Sequence, residues 1–255
     1  MIDVHCHLLP EVDDGPRTME ASLQLARRAV EEGVTSIVVT PHAYHPYFET
    51  QNHDVTQEVA HLQQRLDDEQ IPLTLYVGQE IRIFGELTDA LESGKAHSLA
   101  GSRYVLVELP SQSLPAYTEA LFFQLQTAGY IPIIAHPERN HEFSHHPEKL
   151  YRLVSSGALS QVTTSSLTGQ FGKQVRELAL TFISNGLSHI VASDAHNVEH
   201  RDFNWLAARQ EVINELEKEM WQQHLRFTEQ ILANEPIVTN PPHLPEKNWR
   251  GHWKW

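Results

Sequence analysis

At 255 residues, with 40% hydrophobic side chains, 12 glycines and 14 prolines, the chain has an ordinary globular composition and the length of a single α/β barrel. Its formal charge of −14 argues against a nucleic-acid-binding module, its single cysteine excludes an internal disulfide or a Cys-cluster zinc site, and no apolar run is long enough to span a membrane. The N-terminus carries no basic stretch followed by an apolar one, so a cytoplasmic protein is expected.

Short β-branched, apolar runs alternate with stretches of helical periodicity, the pattern of βα units around a parallel sheet. Strands are predicted at 2–4, 36–40, 73–77, 104–109, 131–135, 159–163 and 189–193. Between the first two, Thr18 is placed to cap a helix carrying Met19, Leu23, Ala26 and Val30 on one face, and Gly33 to close it in the left-handed region. Further helices are predicted at 54–69, 116–128, 147–156, 171–185 and 203–233, with a short one around Leu87, Ala90 and Leu91. The expected fold is one distorted, TIM-like barrel of seven β/α units over residues 1–235. A tail at 236–255 follows, rich in proline and carrying Trp249, Arg250, Trp253, Lys254 and Trp255; it either packs on the barrel or serves as a docking element.

The chain has 17 histidines, and their positions decide what they mean. His5 and His7 end the first strand, His42 follows the second and Glu80 the third. Glu108 lies near the end of the fourth, His136 follows the fifth, and Asp194 and His196 follow the seventh. All mark C-terminal strand ends, the face on which β/α barrels build their sites. Taken singly, each has a plain structural role: a surface His-x-His pair, a helix-capping Asp194, a salt-bridged Glu108. Gathered in one pocket, the carboxylates would repel each other and be costly to bury unless cations compensate them. His-x-His puts two imidazoles on one side of an extended segment, with Cys6 pointing away, and Asp194-Ala-His196 repeats that geometry. Asp14, in Asp13-Asp14-Gly15, offers a further oxygen. Nitrogen and oxygen donors without thiolate suit Mn, Fe or Zn better than Ca or Cu(I). His45, His53, His61, His141, His145 and His146 are read as solvated.

The ordered motifs Asp3-Val-His-Cys-His-Leu-Leu-Pro, Asp13-Asp-Gly, Thr40-Pro-His, Gly78-Gln-Glu, His136-Pro-Glu-Arg and Ser193-Asp-Ala-His-Asn resemble the PHP (polymerase and histidinol phosphatase) superfamily. Within it they are most similar to the bacterial manganese-dependent protein-tyrosine phosphatases of capsule and exopolysaccharide production. The resemblance implies a PHP fold and three divalent ions, manganese by expectation. His5, His7, Glu80 and Asp194 would hold one; Glu80, Glu108 and His136 a second; Asp14, His42 and His196 the third. It also implies that Arg139 and Arg201 offer planar donors to a phosphate, and that the substrate is phosphotyrosine on a protein, a bacterial tyrosine kinase. Ions of this kind lower the pKa of bound water from 15.7 towards about 7, so hydroxide attack on phosphorus needs no phospho-enzyme.

A cysteine-based phosphatase would need arginine where Val12 stands, and no Gly-x-Ser-x-Gly, P-loop or Gly-x-Gly-x-x-Gly motif occurs. The competing readings are a phosphatase for histidinol phosphate or another small phosphomonoester, and a metal-stabilised regulatory binding protein without turnover.

Overall fold

The computed structural model describes residues 1–48, 53–246 and Trp253. Each predicted strand run is present, and two are followed by a short strand that the sequence reading did not predict. After β2 (Ser36–Val39), Pro41, which has no N–H for a ladder, marks a break before β3 (His42–Ala43). After β4 (Thr74–Val77), Gly78-Gln79 marks a break before β5 (Glu80–Arg82). Hydrogen bonds from Thr40 N to Cys6 O (2.9 Å), Gly78 N to Val39 O (3.0 Å) and Glu80 N to Pro41 O (3.1 Å) carry the pairing past both breaks. The remaining strands are β1 (Ile2–Cys6), β6 (Tyr104–Glu108), β7 (Ile131–Ala135), β8 (Leu159–Thr163) and β9 (Ile190–Ala192).

All ladders are parallel, in the orders β1-β2-β4 and β3-β5-β6-β7-β8-β9. The strand runs therefore succeed one another in chain order, as β/α units require. The first and last strands meet through one parallel bridge, Cys6 to Ala195, flanked by hydrogen bonds from Asp194 N to His5 O (2.8 Å) and His7 N to Ala195 O (2.9 Å). Among the described residues no full ladder joins them. Asp3, fully buried, ties this seam: its carboxylate accepts from Ser193 N (3.1 Å), His5 N (3.2 Å) and the Trp205 indole (3.1 Å).

The helices are α1 (Met19–Glu31), α2 (Val55–Asp68), α3 (Leu87–Glu92), α4 (Thr118–Thr127), α5 (His141–His145), α6 (Pro147–Ser155), α7 (Thr164–Leu167), α8 (Lys173–Ser184), α9 (Trp205–Glu215) and α10 (Lys218–Leu232). Thr18 caps α1 by accepting from Ala21 N (3.2 Å), and Gly33 follows at φ +84°. The single helix predicted at 203–233 is two. Leu216 leaves the helical region (φ −125°, ψ −142°), and α10 folds back so that the buried Trp221 meets Trp205 edge-on, ring centroids 5.8 Å apart. No proline or glycine marks this break; the burial of two indoles together outweighs helix continuity.

Val4, Val38, Leu106, Ile133 and Ile190 pack with Phe227 and Ile231 of α10 in a central cluster, while Cys6 turns outwards to pack with residues of α1. Among the described residues no helix is long and apolar enough to cross a membrane. Residues 236–246 form no regular element, but Ile237 N donates to the Tyr104 hydroxyl (3.0 Å) and His243 N to Asn185 O (2.8 Å), at the end of the strands away from the site. Trp249, Arg250, Lys254 and Trp255 lie outside the described residues.

Two predictions follow from the packing. A Cβ on Gly78 would stand 2.6 Å from Val38 Cγ1 and 3.2 Å from Leu99 Cδ2, so Gly78→Ala is expected to cost about 1–3 kcal/mol; an unchanged melting temperature would contradict this. His189 and His224 are buried against one another, the His224 ring donating from Nδ1 to the His189 carbonyl, and burial pushes them down to about 3 and about 4. Between about pH 6.5 and about pH 4 the unfolded chain therefore binds protons that the folded chain does not, and stability falls as pH falls through that window. His224→Gln, which keeps a donor but cannot titrate, should show a shallower loss of melting temperature on acidification than the parent chain.

Candidate metal centre

Several site side chains are delivered by local departures from regular backbone. A register shift between Asp3 and Cys6 re-aims the end of β1, so that His5 and His7 face the pocket while Cys6 does not. His136 (φ +35°), directly after β7, and Asp194 (φ +54°), two residues past the end of β9, adopt the left-handed region that non-glycine residues avoid. Backbone strain of this kind costs about 1–3 kcal/mol per residue and persists where surrounding structure enforces it.

Three groups of donor atoms result, the atoms within each lying within 4.8 Å of one another: His5, His7, Glu80 and Asp194; His42, Glu80 and Glu108; and His7, Asp14, His42 and His196. In the first, His5 Nε2 lies 3.2 Å from Asp194 Oδ1 and 3.3 Å from Glu80 Oε2, and His7 Nε2 lies 3.2 Å from the same Glu80 oxygen. In the second, His42 Nδ1 is 3.1 Å from Glu80 Oε2 and 3.9 Å from Glu108 Oε2. In the third, His196 Nε2 is 3.0 Å and His42 Nε2 3.6 Å from Asp14 Oδ1. All nine expected ligand-type residues thus converge, with two differences in grouping: His136 contacts the other oxygen of Glu80, Oε1, at 2.7 Å, with His42 in its place beside Glu108, and His7 joins Asp14, His42 and His196 in the third group.

Tautomers are fixed from outside the cluster. His5 Nδ1 meets Gln161 Oε1 (2.8 Å), whose amide also donates to Val162 O. His7 Nδ1 meets Asp13 Oδ2 (2.7 Å), and His196 Nδ1 meets the Asp194 carbonyl (2.9 Å). In each ring Nδ1 serves as donor, so Nε2 presents a lone pair to the centre. Asp13 further accepts from His42 N (3.0 Å) and Gly15 N (2.9 Å). Sequence reasoning missed Asp13 and Gln161, although a glutamine inside an apolar strand and the first acid of Asp13-Asp14-Gly15 were both visible. It also missed Arg82, two residues beyond Glu80 and so on the same strand face, whose guanidinium reaches Glu108 Oε1 at 2.9 Å. His45 corrects the reading of a solvated side chain: only 10% exposed, it stands with Nε2 3.8 Å from Glu108 Oε2.

Arg139 and Arg201 reach the pocket already paired. Both hold Asp194 Oδ2, at 2.7 and 2.8 Å, and Arg201 also holds Asp14 Oδ2 at 3.1 Å. Burial pushes Glu108 up to about 7, reinforced by the charge of Glu80. Burial likewise drives His42 and His136 down to about 4, leaving them neutral and able to donate lone pairs. Burial opposes ionisation of Glu80 too, but the charge of His5 beside it, helped by the hydrogen bond with His136, holds its carboxyl well below the usual carboxylate range.

The donor set fits divalent cations. Asp14 Oδ1, His42 Nδ1, Glu108 Oε2, Asp194 Oδ1 and His196 Nε2 are buried without a hydrogen-bond partner, and all five lie within the three donor groups. Leaving buried charged atoms unpaired costs several kcal/mol unless a cation compensates them. The groups open on a cleft of about 370 Å³ lined also by Arg139, Asn140 and Arg201.

Residues 1–232 match the family described as capsular polysaccharide synthesis, CpsB/CapC. The chain belongs to the CpsB/CapC family. It is 42% identical over 242 residues to the tyrosine-protein phosphatase YwqE of Bacillus subtilis (strain 168), covering 95% of each chain. It superposes with a TM-score of 0.94 and 41% identity, over 97% of this chain and 100% of the other, on a crystal structure from work on YwqE of Bacillus subtilis and CpsB of Streptococcus pneumoniae, described as metal-dependent tyrosine phosphatases.

Because Asp13 orients His7 and anchors the His42 backbone, Asp13→Asn is expected to weaken divalent-ion binding by about 10–100-fold, measured by competition against a chelator. Unchanged affinity would remove Asp13 from the positioning role.

Proposed function

We propose that this chain is a metal-dependent tyrosine-protein phosphatase that releases phosphate from phosphotyrosine on a protein, within residues 1–235. The observation that carries the proposal is the three-part donor cluster with its unpartnered atoms, opening beside two arginines. It is supported by near full-length similarity to a tyrosine-protein phosphatase. His5, His7, Glu80 and Asp194 would hold one ion, His42, Glu80 and Glu108 a second, and His7, Asp14, His42 and His196 the third, with His136 beside Glu80. Manganese is the proposed metal. Bound there, divalent ions would supply Lewis acidity, easing ionisation of water near neutral pH and neutralising phosphoryl charge.

The chain's own residues supply orientation. Asp13 and Gln161 hold the His7 and His5 rings with Nε2 inward, and Arg82 holds Glu108. Arg139 and Arg201 present planar guanidinium groups at the cleft; once cations take up the charge of Asp14 and Asp194, their donors are available to phosphoryl oxygens. Cys6 is no nucleophile in this scheme: it is fully buried, burial holds its thiol well above the usual range, and it faces the outer helices. We place the protein in the cytoplasm, with a bacterial tyrosine kinase of capsule or exopolysaccharide synthesis as its substrate.

The test is hydrolysis of a phosphotyrosine peptide and of histidinol phosphate by chelated and then manganese-reloaded protein. The peptide should be turned over only after reloading, and in preference to histidinol phosphate. Arg139→Ala should lower kcat/KM by about 10²–10³-fold with metal content unchanged. Preference for histidinol phosphate would reassign the substrate to a small phosphomonoester, and metal binding without turnover of either would leave a regulatory binding protein.

A further inference from the structure

The polar floor of the cleft accounts for a phosphate but not for what carries it. One wall of the same cleft is aromatic. After β3 the chain turns at Tyr44, held at φ +57° with its ring stacked on Phe84 (centroids 4.1 Å). That turn returns His45 and Phe48 to the cleft. The Phe48 ring lies parallel to His42 (7°, 5.0 Å) and beside His45 (29°, 4.9 Å). His45 Nδ1 accepts from Tyr47 N (3.3 Å), which fixes the ring's orientation. Tyr47 itself is 85% exposed, its ring 5.4 Å from His45, at the outer edge.

Resting on the phosphatase reading above, we infer that the Phe48–His45 wall is the subsite for the leaving group's aromatic ring, and that it selects aryl over alkyl phosphate esters. The argument is one of reach and surface. An aryl phosphate seated on the floor formed by Glu80, His136 and Arg139 extends a flat, rigid ring along the cleft wall. Offset or edge-on packing of such a ring against Phe48 and His45 adds favourable contact beyond the area it buries. A phosphoserine side chain is too short to place anything flat there, and brings polar peptide backbone to an apolar surface instead. The competing role for Phe48 is mere support of the His42 ring, and the two roles are separable: loss of support changes metal binding, whereas loss of ring recognition changes discrimination between ligands.

The experiment is calorimetric titration of the manganese-reloaded full chain with phenylphosphonate and methylphosphonate, neither of which can be hydrolysed, alongside metal content. The parent chain should bind phenylphosphonate more tightly. In Phe48→Ala and in Phe48→Leu, which keeps bulk without a ring, that preference should fall on the order of tenfold, with methylphosphonate affinity and metal content retained; Phe48→Tyr should restore it. An undiminished preference in both variants overturns the inference, as does a matched loss of both ligands together with the metal, which would assign Phe48 to supporting His42. Failure of the phosphatase reading shows separately, as absence of turnover by the parent chain.

Discussion

Everything at the C-terminal ends of the strands is arranged around one electrostatic constraint: Asp14, Glu80, Glu108 and Asp194 converge with five imidazoles where water is largely excluded. Buried acids at such spacing repel each other, and the protein's own cations offset them only in part. Arg139 and Arg201 share one oxygen of Asp194, and Arg82 takes one oxygen of Glu108. The opposite oxygens of those two carboxylates, Asp194 Oδ1 and Glu108 Oε2, have no hydrogen-bond partner. Guanidinium groups thus cover the outer edge of the cluster and leave its inner atoms to a smaller, more highly charged species. A divalent ion is the species whose size and charge answer that requirement.

The backbone meets the constraint through irregularities instead of ideal strands. The register shift in β1, the breaks at Pro41 and Gly78 and the left-handed residues His136 and Asp194 each turn a polar side chain inwards while the hydrophobic layers remain continuous. Outside these points the sheet is ordinary, with Val4, Val38, Leu106 and Ile133 packed at its centre. Rigidity at the site then comes from buried polar contacts. Asp3 joins the first and last strands, and Asp13 fixes the His7 ring together with the His42 backbone.

Much of this was legible in the sequence because parallel strands impose it. Buried strands read as short apolar runs, and polar residues at their C-terminal ends must share one face, so His5, His7, His42, Glu80, Glu108, His136, Asp194 and His196 could be grouped before any coordinates. What was not legible depends on tertiary contacts with no local signature. The break at Leu216 arises from the meeting of Trp205 and Trp221, not from a helix-breaking residue. His45 looked like one more loop histidine because the turn at Tyr44 that returns it to the cleft is made by a residue that ordinarily avoids positive φ. Asp13 was passed over because ring orientation by a neighbouring acid leaves no spacing pattern, and the exchange of His136 for His42 beside Glu108 depends on which carboxylate oxygen each ring faces.

The central claim is that the cluster is a cation centre, and anomalous diffraction from crystals of manganese-loaded protein tests it most directly. The account predicts anomalous peaks within the three donor groups, with Asp194 Oδ1, Glu108 Oε2, Asp14 Oδ1 and His196 Nε2 coordinating. Diffraction in which those atoms are bridged only by ordered water, with no anomalous scatterer among them, would contradict it.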